Sequence, residues 1–153
     1  MACLPPRCDT RVPAYARQAL VVSPGAEAKI LGVLRQPGTV TIEAEELGYC
    51  PAVMRALEAK GRLVRMILPA NIGASDRRHV ETLGHYGVQV RLLPVKPHYL
   101  HTKAFCATNE CFIGPVNLSD VSFNDNRELG LLLDGRDVGI LERQFDHDRA
   151  IAD

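Results

Sequence analysis

The sequence predicts an α/β domain built on a mixed, largely parallel β-sheet with helices on both faces. Two patterns carry that expectation. Between Ala19 and Leu93, short apolar or β-branched runs alternate with helical stretches across brief joints, the rhythm of strands that pair in parallel by crossing over through a helix. After Leu100 the rhythm changes. Three strand-like runs follow without helices between them, and the first two are close enough to pair antiparallel. Size agrees: 153 residues, 46% of them apolar, make one domain that buries roughly two-thirds of the surface its unfolded chain exposes.

The elements follow in order. Pro5, Pro6 and Pro13 break any regular pattern, so residues 1–18 are read as an irregular N-terminal tail ahead of a single domain at 19–153. Ala19–Ser23 is a short apolar run closed by Pro24-Gly25, a buried strand and a turn. Ile30, Leu31 and Leu34 recur at helical spacing over 26–35, and Gln36-Pro37-Gly38 ends that helix. Thr39–Ile42 reads as a second strand. Pro51 opens a helix at the position that tolerates it best, Val53, Met54 and Leu57 share a face, and Gly61 follows the end. Leu63–Leu68 is a third strand, closed by Pro69. Ser75 or Asp76 is expected to cap a helix running through Val80 and Leu83, with Gly87 beyond it. Val88–Leu93 is a fourth strand. Thr102–Ala107 and Cys111–Gly114 form a hairpin around Thr108-Asn109-Glu110, and Glu128–Leu133 is the last strand. Val138, Leu141 and Phe145 mark a closing helix.

Composition excludes several classes. Eighteen Lys and Arg balance eighteen Asp and Glu, so this is not a polybasic protein that gathers nucleic acid or anionic membrane by its overall field. The balance is a cancellation: residues 1–54 are neutral, residues 55–103 carry nine cations against three anions, and residues 104–153 carry four against ten. The basic segment runs into His101 and Lys103, and a local basic approach for phosphate is expected there. Fourteen of the cations are Arg, the residue suited to forked phosphate contacts. No apolar run approaches the roughly 20 residues of a membrane span. The first residues lack the continuous hydrophobic stretch of a secretory signal, and the protein is read as cytoplasmic. Five cysteines, an odd number, fit a reducing compartment better than a disulfide framework.

The residues that carry chemistry lie in Leu100–Gly130. His101 and Lys103 stand two apart at the start of a strand, where both side chains leave one face. Asn117 follows the next strand, just past Gly114, and Glu128 begins the one after. One sheet end is thereby expected to hold four groups. These are an imidazole for nucleophilic or acid–base work, an ammonium and an amide for phosphoryl oxygens, and a carboxylate to orient the imidazole.

The ordered whole, His101-Thr102-Lys103, then Gly114-x-x-Asn117, then Asn126-Arg127-Glu128-Leu129-Gly130, resembles the HKD signature of the phospholipase D superfamily. The upstream run VVSPGAEAKILGVLRQ and the closing LERQFDHDRA resemble its domain, so the likeness covers about residues 19–150. The resemblance implies a phospholipase D-like αβα sandwich and a phosphodiesterase that works without metal or other cofactor. One His attacks phosphorus to give a covalent phosphohistidine, and the His of a second motif protonates the leaving oxygen. Water or another alcohol then resolves the intermediate. Carried onto this chain, His101 is the nucleophile, Lys103 and Asn117 hold phosphoryl oxygens, Glu128 supports the imidazole, and Gly114 and Pro115 border the substrate. Only one motif is present, because His79, His85, His98 and His147 have no Lys two residues on. The short single-motif members are nucleases that place the site across a homodimer. The resemblance therefore implies a two-fold dimer that brings together His101 of both subunits and an endonuclease acting on DNA or RNA. A phospholipid, hydrolysed or transferred at the same site, is the second reading. A dimer that binds a phosphate backbone without cleaving it is the third.

Two positions depart from the family pattern. Thr108 stands where the family has Asp, and Pro115 where Ser follows the Gly. Pro115 removes a hydroxyl and an N–H, and losing one transition-state donor costs roughly 10²–10³ in rate. Arg77 and Arg78 open a helix, the unfavourable end for cations, and are assigned to a phosphate partner. Cys106 and Cys111 either pair across the hairpin or, with Cys50, sit as small buried apolar side chains, the preferred account. A four-thiolate zinc site with Cys3 and Cys8 lacks the tight spacing of zinc motifs. Glu45 and Glu46 follow the second strand and are read as a solvated loop rather than as pocket lining. His79 and His85 are read as surface or partly buried helix residues. Gly32, Gly84 and Gly87 compose no dinucleotide fingerprint.

Overall fold

The computed structural model describes residues 19–153; the expected tail, with Cys3 and Cys8, lies outside the described residues. In chain order the elements are β1 (Ala19–Val22), α1 (Ala26–Arg35), β2 (Val40–Glu43), α2 (Pro51–Lys60), a 3₁₀ turn (Gly61–Leu63), β3 (Val64–Pro69), α3 (Ala74–His85), β4 (Gln89–Leu93), β5 (Ala104–Cys106), β6 (Glu110–Ile113), α4 (Asp120–Asn124), β7 (Leu129–Asp134) and α5 (Arg136–Ile151). They form one seven-stranded sheet in the order β1-β7-β6-β5-β2-β3-β4. Only β2–β3 and β3–β4 are parallel neighbours. Five strands nonetheless point the same way, because β5 and β7 run against them and interleave. The mixed sheet is therefore largely parallel in direction, though most of its pairings are antiparallel.

Helices cover both faces. Ile30, Val33 and Leu34 of α1, Val53 and Leu57 of α2 and Leu83 of α3 pack on one face against Val40, Ile42, Val64, Met66, Leu68, Phe105 and Phe112. The alternate residues of the same strands face α5: Phe145 meets Ile67 and Leu93, while Val138 and Leu141 meet Cys106 and Cys111. This second face is less apolar. Thr41 and Glu43 are buried on it, and the Thr41 hydroxyl donates to Glu142 (3.0 Å). Glu43 has a carboxyl pushed up to about 7, first by burial and then by the charge of Asp148, against a lowering hydrogen bond from Thr102. α5 also leaves part of the face bare. Val22 pairs with Leu129 and Leu20 with Leu131, and Leu20, Val22 and Leu129 are 65%, 57% and 59% exposed.

Several local expectations change. Neither Ser75 nor Asp76 caps α3. The helix starts at Ala74 behind Gly73, because Asp76 reaches away to accept the Leu47 N–H (3.1 Å). α4 has five residues, too few to show a helical period in the sequence. His101 and Lys103 precede β5 rather than opening it. Cys106 and Cys111 are not separate thiols but form a disulfide, since they stand directly opposite in the hairpin with their Cα atoms 4.1 Å apart. Being joined to each other, they are not zinc ligands. Cys50 is a buried thiol, pushed up to about 12 by burial first and then by nearby carboxylates. No helix among the described residues is long and apolar enough to cross a membrane.

Candidate active site

β1, β2 and β6 end, and β5 and β7 begin, at the same edge of the sheet. The candidate residues line that edge in strand order. Glu128 lies just before β7, Gly114 to Asn117 follow β6, Lys103 lies just before β5, and Glu45 follows β2. Close packing brings the middle of this row together. A side chain on Gly114 would stand 2.9 Å from the Gly130 Cα, and one on Gly130 would collide with the Phe112 ring. Only two glycines let β6 and β7 approach so closely here.

On the β5–β2 side the polar groups satisfy one another. Lys103 is 6% exposed. Its Nζ donates to Glu45 Oε2 at 2.6 Å and to the His101 carbonyl at 3.1 Å. It also lies 3.3 Å from both ring nitrogens of His101. His101 Nε2 is 3.2 Å from the same Glu45 oxygen. Glu45 is therefore a member of the cluster, not a solvated loop residue. Tyr99 completes this side. Its ring is 6.4 Å from that of His101, and its hydroxyl is raised above the ordinary phenol range by burial, then by the charge of Glu45 and a hydrogen bond to it.

The Glu45 backbone is anchored two residues on. Leu47 donates its N–H to Asp76 (3.1 Å) and its carbonyl lies 2.7 Å from His79 Nδ1. Leu47 also bridges to Leu118, and the Gly48 N–H reaches the Leu118 carbonyl (2.9 Å). His79, a partly buried helix residue as expected, also helps tie the Glu45 loop to α3, and Leu118 ties it to the Asn117 loop.

On the β6–β7 side Ser122, buried in α4, joins two candidates. Its Oγ accepts the Asn117 N–H (2.9 Å) and donates to Glu128 Oε1 (2.7 Å), and Asn126 Nδ2 donates to the same oxygen (3.0 Å). Asn117 Oδ1 and Glu128 Oε2 are buried with no hydrogen-bond partner among the described residues. No hydrogen bond links Glu128 to His101 within the chain. From the sequence Glu45 was raised as pocket lining but set aside as a solvated loop residue, and Ser122 was not singled out: both act through contacts that only the sheet order and α4 create.

The remaining candidates form no hydrogen bond with these side chains among the described residues. Pro115 is exposed beside Gly114, whose N–H donates to the Lys103 carbonyl (3.3 Å). Thr108 lies in the hairpin turn at the opposite end of β5. Arg77 donates to the Ala70 carbonyl (2.8 Å), and Arg78 is exposed on the first turns of α3. Part of the basic segment lies away from the cluster. Arg65, Arg91 and Arg149 gather on the α5 face of β3 and β4, where burial and then the other two guanidiniums lower the pKa of Arg149.

Residues 46–149 match the family described as cardiolipin synthase, PLD-like domain. Among solved structures the chain is similar to Nuc from Salmonella typhimurium, a phospholipase D family member. That match has a TM-score of 0.79 at 14% identity and covers 90% of this chain and 97% of that one. NucT from Helicobacter pylori matches with a TM-score of 0.75 at 16% identity, over 90% of this chain and 98% of that one. The phosphatidylserine synthase of Haemophilus influenzae matches with 0.72 at 14% identity, over 93% of this chain and 40% of that one. No curated protein sequence matches the chain.

Proposed function

The chain belongs to the PLD-like domain family, and on that premise we propose that it is a metal-independent endonuclease that cleaves nucleic-acid phosphodiesters at a site shared by two subunits. The observation that carries this reading is the cluster of His101, Lys103, Asn117 and Glu128 along one sheet edge. His101 Nε2 attacks phosphorus. The new P–N bond forms as the P–O bond to the leaving group breaks, and the partner subunit's His101 gives that oxygen its proton. Water then attacks phosphorus, passes a proton to the now neutral imidazole, and releases His101. Lys103 and Asn117 bear the charge on the phosphoryl oxygens.

Two observations support the dimer. The unpartnered oxygens of Asn117 and Glu128 are acceptors, so what they lack is a donor, and an imidazole N–H from a second copy supplies one. The bare strip of Leu20, Val22 and Leu129 starts one residue from Glu128 and offers an apolar contact that a two-fold axis would double. The chain covers nearly all of Nuc and NucT but only 40% of the phosphatidylserine synthase, and on that likeness to short single-motif chains we favour nucleic acid over phospholipid.

The test uses purified protein and its His101→Ala variant with labelled single- and double-stranded nucleic acid and with phospholipid vesicles, all in excess EDTA. Cleavage of nucleic acid by the wild type, falling at least about 10⁴-fold in the variant, is the expected result. Loss of all activity in EDTA would overturn the mechanism. Cleavage of lipid alone would move the substrate, and equal binding by both proteins without cleavage would leave a phosphate-binding dimer.

A further inference from the structure

We infer that Glu45 decides which phosphates enter this site: its carboxylate holds the place of a phosphoryl oxygen, and a substrate must displace it. The inference rests on the phosphodiester reading above and concerns the same site. One oxygen of Glu45 touches both Lys103 Nζ (2.6 Å) and His101 Nε2 (3.2 Å), the ammonium and the ring nitrogen between which a reacting phosphate has to lie. A carboxylate oxygen and a phosphoryl oxygen are alike there, both anionic acceptors for the same charge-assisted contacts. They cannot occupy the point together.

The exchange is local. Leu47 is held at its N–H by Asp76 and at its carbonyl by His79, so the side chain of Glu45 turns while its loop stays. The side chain is 24% exposed, so it has solvent to turn into. Lys103, 5% exposed at its side chain, keeps an anionic partner before and after the exchange and is never left as an unpaired buried charge.

The consequence is discrimination. Inorganic phosphate offers only its own few contacts against the Glu45–Lys103 pair and against the displaced carboxylate nearby. A diester within a long substrate adds contacts beyond the reacting phosphate. Glu45 therefore keeps small free phosphates out of the site while extended diesters still enter.

The probe is inorganic phosphate, titrated calorimetrically into wild type, Glu45→Gln and Glu46→Gln without any turnover. Gln keeps an acceptor for Lys103 while removing the charge, and the Glu45 variant is expected to bind phosphate about tenfold tighter than wild type. Glu46, the neighbouring carboxylate, makes no contact with Lys103 or His101, and its variant is expected to stay within about twofold. Unchanged or weaker binding by Glu45→Gln would overturn the inference, as would an equal gain in Glu46→Gln. A second measurement needs no variant: the carboxyl ¹³C signal of Glu45 should move to a solvent-exposed value as phosphate saturates the wild type. A signal that stays put overturns the inference as well. The two readings fail separately. A gain in phosphate affinity without nucleic-acid cleavage removes the nuclease and keeps Glu45, whereas cleavage without that gain removes Glu45 alone.

Discussion

On the β5–β2 side of the site, Lys103, His101, Tyr99 and Glu45 satisfy one another, whereas on the β6–β7 side Asn117 and Glu128 each keep a buried oxygen without a partner. One half has donors already engaged by an internal anion. The other half keeps two acceptor oxygens with no donor to fill them among the described residues. A buried acceptor left alone costs roughly 1–3 kcal/mol, so the second half is the unfinished one. In the proposed dimer a two-fold axis would set each half against its opposite, and the imbalance within one chain would become a complement between two.

The sharpest way to break this comparison is at Glu128. Glu128→Gln keeps the acceptor toward Ser122 but removes the charge on the unpartnered side, and kcat for nucleic-acid cleavage is expected to fall roughly 10²–10³-fold with the melting temperature near that of wild type. An undiminished kcat would mean the second half takes no part in the chemistry. The next test addresses the complement itself. Val22→Lys or Leu129→Lys places a charge on the bare strip, and the dimer is expected to weaken about thirtyfold, the effect of losing a contact worth about 2 kcal/mol. Sedimentation velocity should show monomer mass, with activity returning as concentration rises. Full activity co-eluting with monomer would end the shared-site reading.

The smallest effect distinguishes a structural carboxyl on β2 from the Glu45 carboxyl just past its end. Glu43, two residues before Glu45, has its folded pKa raised from 4.5 to about 7. Its contribution to stability is whole below about 4.5, where folded and unfolded chains both hold the proton, and is lost as pH rises through about 7. Glu43→Gln is expected to remove that slope, stabilising the protein by up to about 3 kcal/mol at pH 8 relative to pH 5. Urea melts at the two pH values check this. A wild type equally stable at both would show that Glu43 is ionised in the fold.

The sequence shows clearly what is periodic or ordered along the chain. α1 could be read residue for residue because Ile30, Leu31 and Leu34 mark one face and Pro37-Gly38 ends it. His101, Lys103, Asn117 and Glu128 were readable because their types and order match a signature. What depends on register was hidden. Glu45 meets Lys103 only because Glu43 pairs with Ala104 across β2 and β5, strands more than sixty residues apart in the chain. The disulfide was one of three accounts of Cys106 and Cys111 until their cross-strand pairing decided it. Charge summed along residues 55–103 says little about placement, because β3 and β4 carry Arg65 and Arg91 to the α5 face of the sheet.

The tethering of Leu47 has a consequence for how this protein can vary. Its N–H, its carbonyl and its bridge to Leu118 are all engaged, and Glu45 stands two residues before it. An inserted or deleted residue between Ala44 and Gly48 would shift all three attachments and carry Glu45 off Lys103. Substitutions are the changes this short segment tolerates; changes in its length are not.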